Sequence, residues 1–99
     1  MQLKKTITQP ACVALDLTGQ KANEVFVVGS FNDWRPRANP MTPLGEGMWG
    51  TRLSLTPGRY EYQFLVDGRP IPDPTAQEFV DHPDGAPSSV LLVAADARE

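Results

Sequence analysis

The sequence predicts an all-β fold, an antiparallel sandwich of two sheets. Three observations carry that expectation. Stretches of alternating apolar and polar residues recur at spacings near ten residues, the mark of half-buried strands. Ten prolines and eight glycines in 99 residues break the chain too often for long helices. No long stretch with a helical apolar period intervenes. With 99 residues, 40% of them hydrophobic and 21% charged, the chain can fill one sandwich core. It is expected to form a single unit over 1–99, with its core at about 11–94.

The first strand is expected over Ala11–Leu17, where Val13, Leu15 and Leu17 share one face. Cys12 is expected to be a small buried hydrophobe on that strand. Residues 24–29 hold Val25-Phe26-Val27-Val28, too apolar for a surface strand, so a central strand is expected. Residues 30–47 carry Pro36, Pro40, Pro43, Gly45 and Gly47 and keep no period, so they read as one long loop. Loops of that length in compact domains are often functional, and this one carries Phe31 and Trp34.

Regular alternation resumes over Met48–Leu55, with Trp49, Thr51, Leu53 and Leu55 on one face. Trp49 is therefore assigned to the core. Pro57-Gly58 turns the chain into a strand over 59–66. Here Tyr60, Tyr62, Phe64 and Val66 point inward, and Glu61, Gln63 and Leu65 outward. Asp67-Gly68 is a hairpin turn signal. The prolines of 69–74 restrict that segment to a sheet edge or an extended loop. A turn at 83–87 precedes the last strand at 88–94, and 95–99 form a polar tail. The expected core includes Val13, Val27, Leu53, Tyr62 and Phe64.

Charge excludes several partners. The net charge is −3, and beyond Lys4-Lys5 no basic cluster exists to meet a phosphate backbone. Nucleic acid and an anionic membrane surface are not expected as partners, and a neutral ligand is. Residues 1–10 lack an apolar core, and no stretch approaches the ~20 apolar residues of a membrane span. With a single cysteine, no internal disulfide forms. A cytoplasmic location is expected.

Catalytic chemistry is sparse. A metal site usually needs several His or Cys ligands, and His82 is the sole histidine. Ser88 or Ser89 could meet it, but those serines open a strand rather than a nucleophile elbow. Asp67, Asp73, Asp81 and Asp84 lack the spacing of a calcium loop and read as turn or solvated carboxylates. No phosphate-cradling loop is present, since no lysine follows Gly45-Glu46-Gly47. No enzyme activity and no cofactor are expected.

Trp34 is the informative residue, because it lies in a polar loop rather than an alternating strand. Covering one face of its indole with a sugar ring would remove ~100 Å² from water, about 2.5 kcal/mol. Alternatively the ring folds back to seal the loop over the core.

The run Val25-Phe26-Val27-Val28-Gly29-Ser30-Phe31-Asn32-Asp33-Trp34 resembles the family-48 carbohydrate-binding modules, as in the glycogen-binding domain of the AMP-activated protein kinase β subunit. The resemblance continues through Trp49, Pro57-Gly58-Arg59-Tyr60-Glu61-Tyr62-Gln63-Phe64-Leu65-Val66-Asp67-Gly68, Asp73-Pro74 and Ser88-Ser89-Val90-Leu91-Leu92-Val93. It implies an early-set, immunoglobulin-like β-sandwich that binds an α-glucan such as glycogen or starch, or that sits beside an enzyme or kinase domain. It also implies a carbohydrate site at Trp34, Gln63 and Ser88. Trp34 matches the first stacking tryptophan of the family. Gln63 stands where a lysine does, Ser88 where an asparagine does, and Pro70 where a second tryptophan does. Two functions follow as expectations. One is a weak, non-catalytic α-glucan-binding module. The alternative is an interaction or regulatory domain on the same scaffold that has lost sugar binding.

Overall fold

The computed structural model describes residues 10–83 and 85–94. In chain order they form β1 (Ala11–Leu17), β2 (Val25–Gly29), a 3-10 turn (Ser30–Asn32), β3 (Thr42–Gly45), β4 (Met48–Leu55), β5 (Gly58–Val66), β6 (Arg69–Ile71), β7 (Phe79–His82) and β8 (Gly85–Val93). No α-helix occurs among the described residues. The strands form two sheets with antiparallel pairings throughout. One has the order β1-β4-β3, the other β2-β5-β8-β7, with β6 also paired to β5. The fold is the immunoglobulin-like antiparallel β-sandwich that the alternation and the resemblance led one to expect. The tail at 95–99 and the segment 1–9 lie outside the described residues.

The core lies between the sheets. Leu15, Leu17, Trp49, Leu53 and Leu55 reach in from one side, and Val25, Val27, Tyr62, Phe64 and Val93 from the other. Val13 is half-buried against them. Phe64 and Val27 are completely buried, and each such side chain contributes about 1.5–3 kcal/mol of transfer free energy. Trp49 takes the core position expected of it, and its indole N–H donates to the Gln20 carbonyl at 3.1 Å, so the one polar atom is satisfied.

The Asp67-Gly68 signal makes the tight turn expected. Both residues have left-handed backbones, φ 49° and 85°, and Val66 pairs directly with Arg69 across them. The Asp67 carboxylate accepts from the backbone N–H groups of Asn23 and Glu24, both at 3.0 Å. That contact ties this hairpin to the start of β2. Gly29, at the other end of β2, is required by close approach. A Cβ there would meet the Glu61 carbonyl at 2.5 Å and the Phe31 ring at 2.7 Å.

Four expectations need correction. β2 is not central but ends its sheet. It is buried because residues 39–41 run along its open side: Val27 N–H donates to Asn39 O at 2.9 Å, and Met41 N–H to Val25 O at 2.8 Å. The strap covers a sheet edge that would otherwise be free to pair with another chain. Second, β3 lies inside the supposed long loop. Its four residues are all exposed, so no apolar alternation announces it, and Pro43 is tolerated because the strand is an edge. Third, β7 falls between 75 and 82, where no strand was expected, and β8 begins at Gly85 rather than residue 88. Fourth, Cys12 is exposed, not buried. Odd-numbered residues of β1 face the core, and Cys12 sits on the other face opposite Ser54.

Candidate functional site

The loop after β2 is built around Asn32. Its side-chain carbonyl accepts from Gly29 N–H at 3.0 Å, and its amide donates to Val27 O at 3.1 Å and to Asn39 Oδ1 at 2.7 Å. These bonds hold both ends of the loop to the end of β2. Asp33 and Trp34 then adopt left-handed backbones, φ 57° and 58°. A bulky residue held there costs on the order of 1–3 kcal/mol, strain that tends to gather at functional sites. The Trp34 N–H closes the turn on Gly29 O at 3.0 Å. The side chain does not seal the core: Trp34 is 41% exposed, against 6% for Trp49.

Gln63 lies on the outer face of β5, opposite Val28 of β2, as expected. It is half-buried, and its amide nitrogen donates to Ala86 O at 2.8 Å and to Pro87 O at 3.3 Å. The β5–β8 ladder runs only as far as Tyr62–Ser89, so Gln63 extends that seam with its side chain. The amide hydrogens are thereby committed, and Oε1 is the atom offered to a ligand.

Ser88 is not a surface group, which corrects the expectation for it. It is completely buried, and its Oγ lies 2.8 Å from His82 Nε2. β7, the strand without a sequence signal, is the cause. Val80 pairs with Ser88, and His82 reaches over it. The neighbouring Ser89 is also fully buried and accepts from the Asp73 N–H at 2.7 Å.

The His82–Ser88 contact does not make a nucleophile. In a Ser-His-acid triad the acid orients one imidazole nitrogen while the other faces the serine. Here Glu61 Oε1, 4.0 Å away, faces the same Nε2 that Ser88 does. Glu61 and Asp73 are occupied too. Glu61 Oε2 accepts from Arg59 at 3.1 Å. The buried Asp73 carboxylate accepts from Tyr62 Oη at 2.5 Å and from Thr75 N and Oγ1 at 2.9 and 2.7 Å. Burial first, then that hydrogen bond and the Asp73 charge, hold the Tyr62 hydroxyl far above the ordinary phenol range. No cluster of three or more His, Cys, Asp or Glu suited to a metal occurs among the described residues.

A groove of about 740 Å³ runs between β1 and residues 73–78, and Trp34, Gln63 and Ser88 do not line it. Trp34 is an exposed platform rather than the wall of a pocket, a form suited to a polymer chain. Residues 14–98 match the family described as the glycogen recognition site of AMP-activated protein kinase. The chain belongs to this family.

Curated relatives of this glycogen-recognition module are similar over about half its length. Protein PTST homolog 2, chloroplastic, of Arabidopsis thaliana is 40% identical over 53 residues, 54% of this chain and 10% of that protein. The 1,4-alpha-glucan branching enzyme GlgB 2 of Xanthomonas campestris pv. campestris (strain 8004) is 40% identical over 62 residues, 58% of this chain and 8% of that protein. The SNF1 protein kinase subunit beta-3 of Saccharomyces cerevisiae is 36% identical over 55 residues, 54% of this chain and 13% of that protein. The module thus spans about a tenth of the length of these relatives. Within it, the position expected for a second stacking ring holds Pro70, which pairs with Leu65 on a short edge strand. The sequence allowed His82 to meet Ser88 or Ser89, and β7 is what brings its Nε2 to Ser88.

Proposed function

We propose that this chain is a non-catalytic α-glucan-binding module that docks a glycogen- or starch-type chain on the Trp34 indole, with Gln63 Oε1 beside it. The observation that carries the reading is the exposed Trp34 platform, held in a strained and hydrogen-bonded turn, in a member of the glycogen-recognition family. One indole face supplies about 2.5 kcal/mol, and two exposed hydrogen bonds add about 1 kcal/mol each. Association entropy opposes both, so the dissociation constant falls at roughly 0.1 mM to several mM.

The test is a maltoheptaose titration followed by tryptophan fluorescence. Trp49 is buried, so the signal reports Trp34. Saturation in the millimolar range that vanishes in Trp34→Ala supports the reading. A flat response up to about 10 mM, a range that reveals millimolar binding, retires it. Catalysis is absent on this reading, because glycoside hydrolysis needs two free carboxylates facing each other across the bond. Metal-independent release of reducing sugar by the purified chain would contradict that.

A second reading, an interaction domain beside an enzyme or kinase, is favoured by the exposed Leu92 and Leu44, 69% and 57% accessible. The kinase-subunit relative points the same way. On this reading Trp34→Ala weakens a protein contact and leaves sugar without effect.

A further inference from the structure

With Ser88 buried and the Gln63 amide committed, neither of them offers a donor to a sugar. His82, which closes over Ser88, can supply a donor there, and Glu61 beside it an acceptor. We infer that His82 and Glu61 are the polar contacts of the glucan site, lying across the sheet from Trp34. The inference rests on the α-glucan reading above and gives that site the residues its sequence did not reveal.

The geometry runs as a band across four strands. The Trp34 turn closes on Gly29 O at the end of β2, and the next residue, Ser30, accepts the Glu61 N–H at 3.2 Å. Glu61 of β5 lies 4.0 Å from His82 of β7, with β8 between them. From β2 to β7 is three strand spacings, about 14 Å, a span of oligosaccharide rather than single-sugar size. Both side chains are partly accessible, 41% for His82 and 27% for Glu61.

Each group is held in place by a neighbour and keeps an atom with no hydrogen-bond partner among the described residues. Arg59 fixes Glu61 through Oε2 at 3.1 Å, which leaves Oε1 to accept from a sugar hydroxyl. Ser88 Oγ fixes the imidazole through Nε2 at 2.8 Å. If Ser88 donates to Nε2, Nδ1 carries the proton and donates. If Nε2 donates to Ser88, Nδ1 accepts. A sugar hydroxyl, both donor and acceptor, is served by either tautomer. Ser88 is therefore a positioning residue for His82 rather than a contact.

His82 is the sole histidine, so its ring Cε1–H resonance identifies itself by NMR. Maltoheptaose is titrated into the wild-type chain while that resonance and the Trp34 indole N–H are followed. Both should move and saturate with one dissociation constant. His82→Ala should weaken binding roughly five- to tenfold, the worth of one hydrogen bond, and His82→Gln should recover part of the loss. If the indole shifts while the His82 resonance stays still, this inference is overturned and the α-glucan reading stands. If neither resonance moves, both fail. The wild-type histidine signal decides the matter even where a variant folds poorly.

Discussion

The two faces of β5 obey different rules. Its inward residues Tyr62 and Phe64 are 3% and 0% exposed and meet edge to face at 5.8 Å. Its outward neighbours Glu61 and Gln63 are only half-buried: Glu61 accepts from Arg59 of the same strand and faces His82 of β7, and Gln63 donates to carbonyls of β8. Inside, the position is set by removal from water, which depends on residue type and parity alone. Outside, what a polar side chain does depends on which strand happens to lie alongside it. A facing can be right while the role assigned to it is wrong.

Substitutions on the two faces should therefore fail in different ways. The largest effect is expected inside. Phe64→Ala should cost roughly 3–5 kcal/mol in chemical denaturation, and a loss below about 1 kcal/mol would break the contrast. Tyr62→Phe should cost about 1.5–3 kcal/mol, because Asp73 loses a donor in a buried site. This pair also carries a pH signature. The Tyr62 hydroxyl holds its proton more tightly folded than unfolded, so above the ordinary phenol range the unfolded chain has the fewer bound protons. That contribution is whole below about pH 10 and is lost as pH rises beyond it. The melting temperature should fall above pH 10 in the wild type and fall less steeply in Tyr62→Phe. The smallest effect is expected at the exposed platform. Trp34→Ala should change stability by no more than about 0.5 kcal/mol while removing the fluorescence response to maltoheptaose. A large stability loss would move Trp34 to the inner regime and favour the interaction reading.

Much of the interior was legible because period-two alternation encodes it. Leu15 and Leu17, Leu53 and Leu55, and Tyr62 and Phe64 all fell where parity put them. Cys12 was misread by the same rule's neglect: its neighbours were apolar, but its parity was that of Ala14 and Asp16, which face outward. β3 and β7 were illegible because they are short edges with little buried surface. Their absence from the reading had consequences of different size. Missing β3 left the core assignment intact. Missing β7 left Ser88 mistaken for a surface group. Trp34 was legible as an exposed residue only through its polar surroundings, and its left-handed backbone had no sequence signal beyond the preceding Asn32-Asp33.

The Asn32 bonds bear on the timing of recognition. A platform fixed to Val27, Gly29 and Asn39 before any ligand arrives needs no loop ordering on contact. Association is then a rigid encounter, free of a slow conformational step. A millimolar equilibrium reached through fast arrival requires fast departure, at roughly 10²–10⁴ per second for an arrival rate constant of about 10⁵–10⁷ per molar per second. A domain tethered through such a surface would exchange among neighbouring chain ends of a branched polymer many times before leaving it.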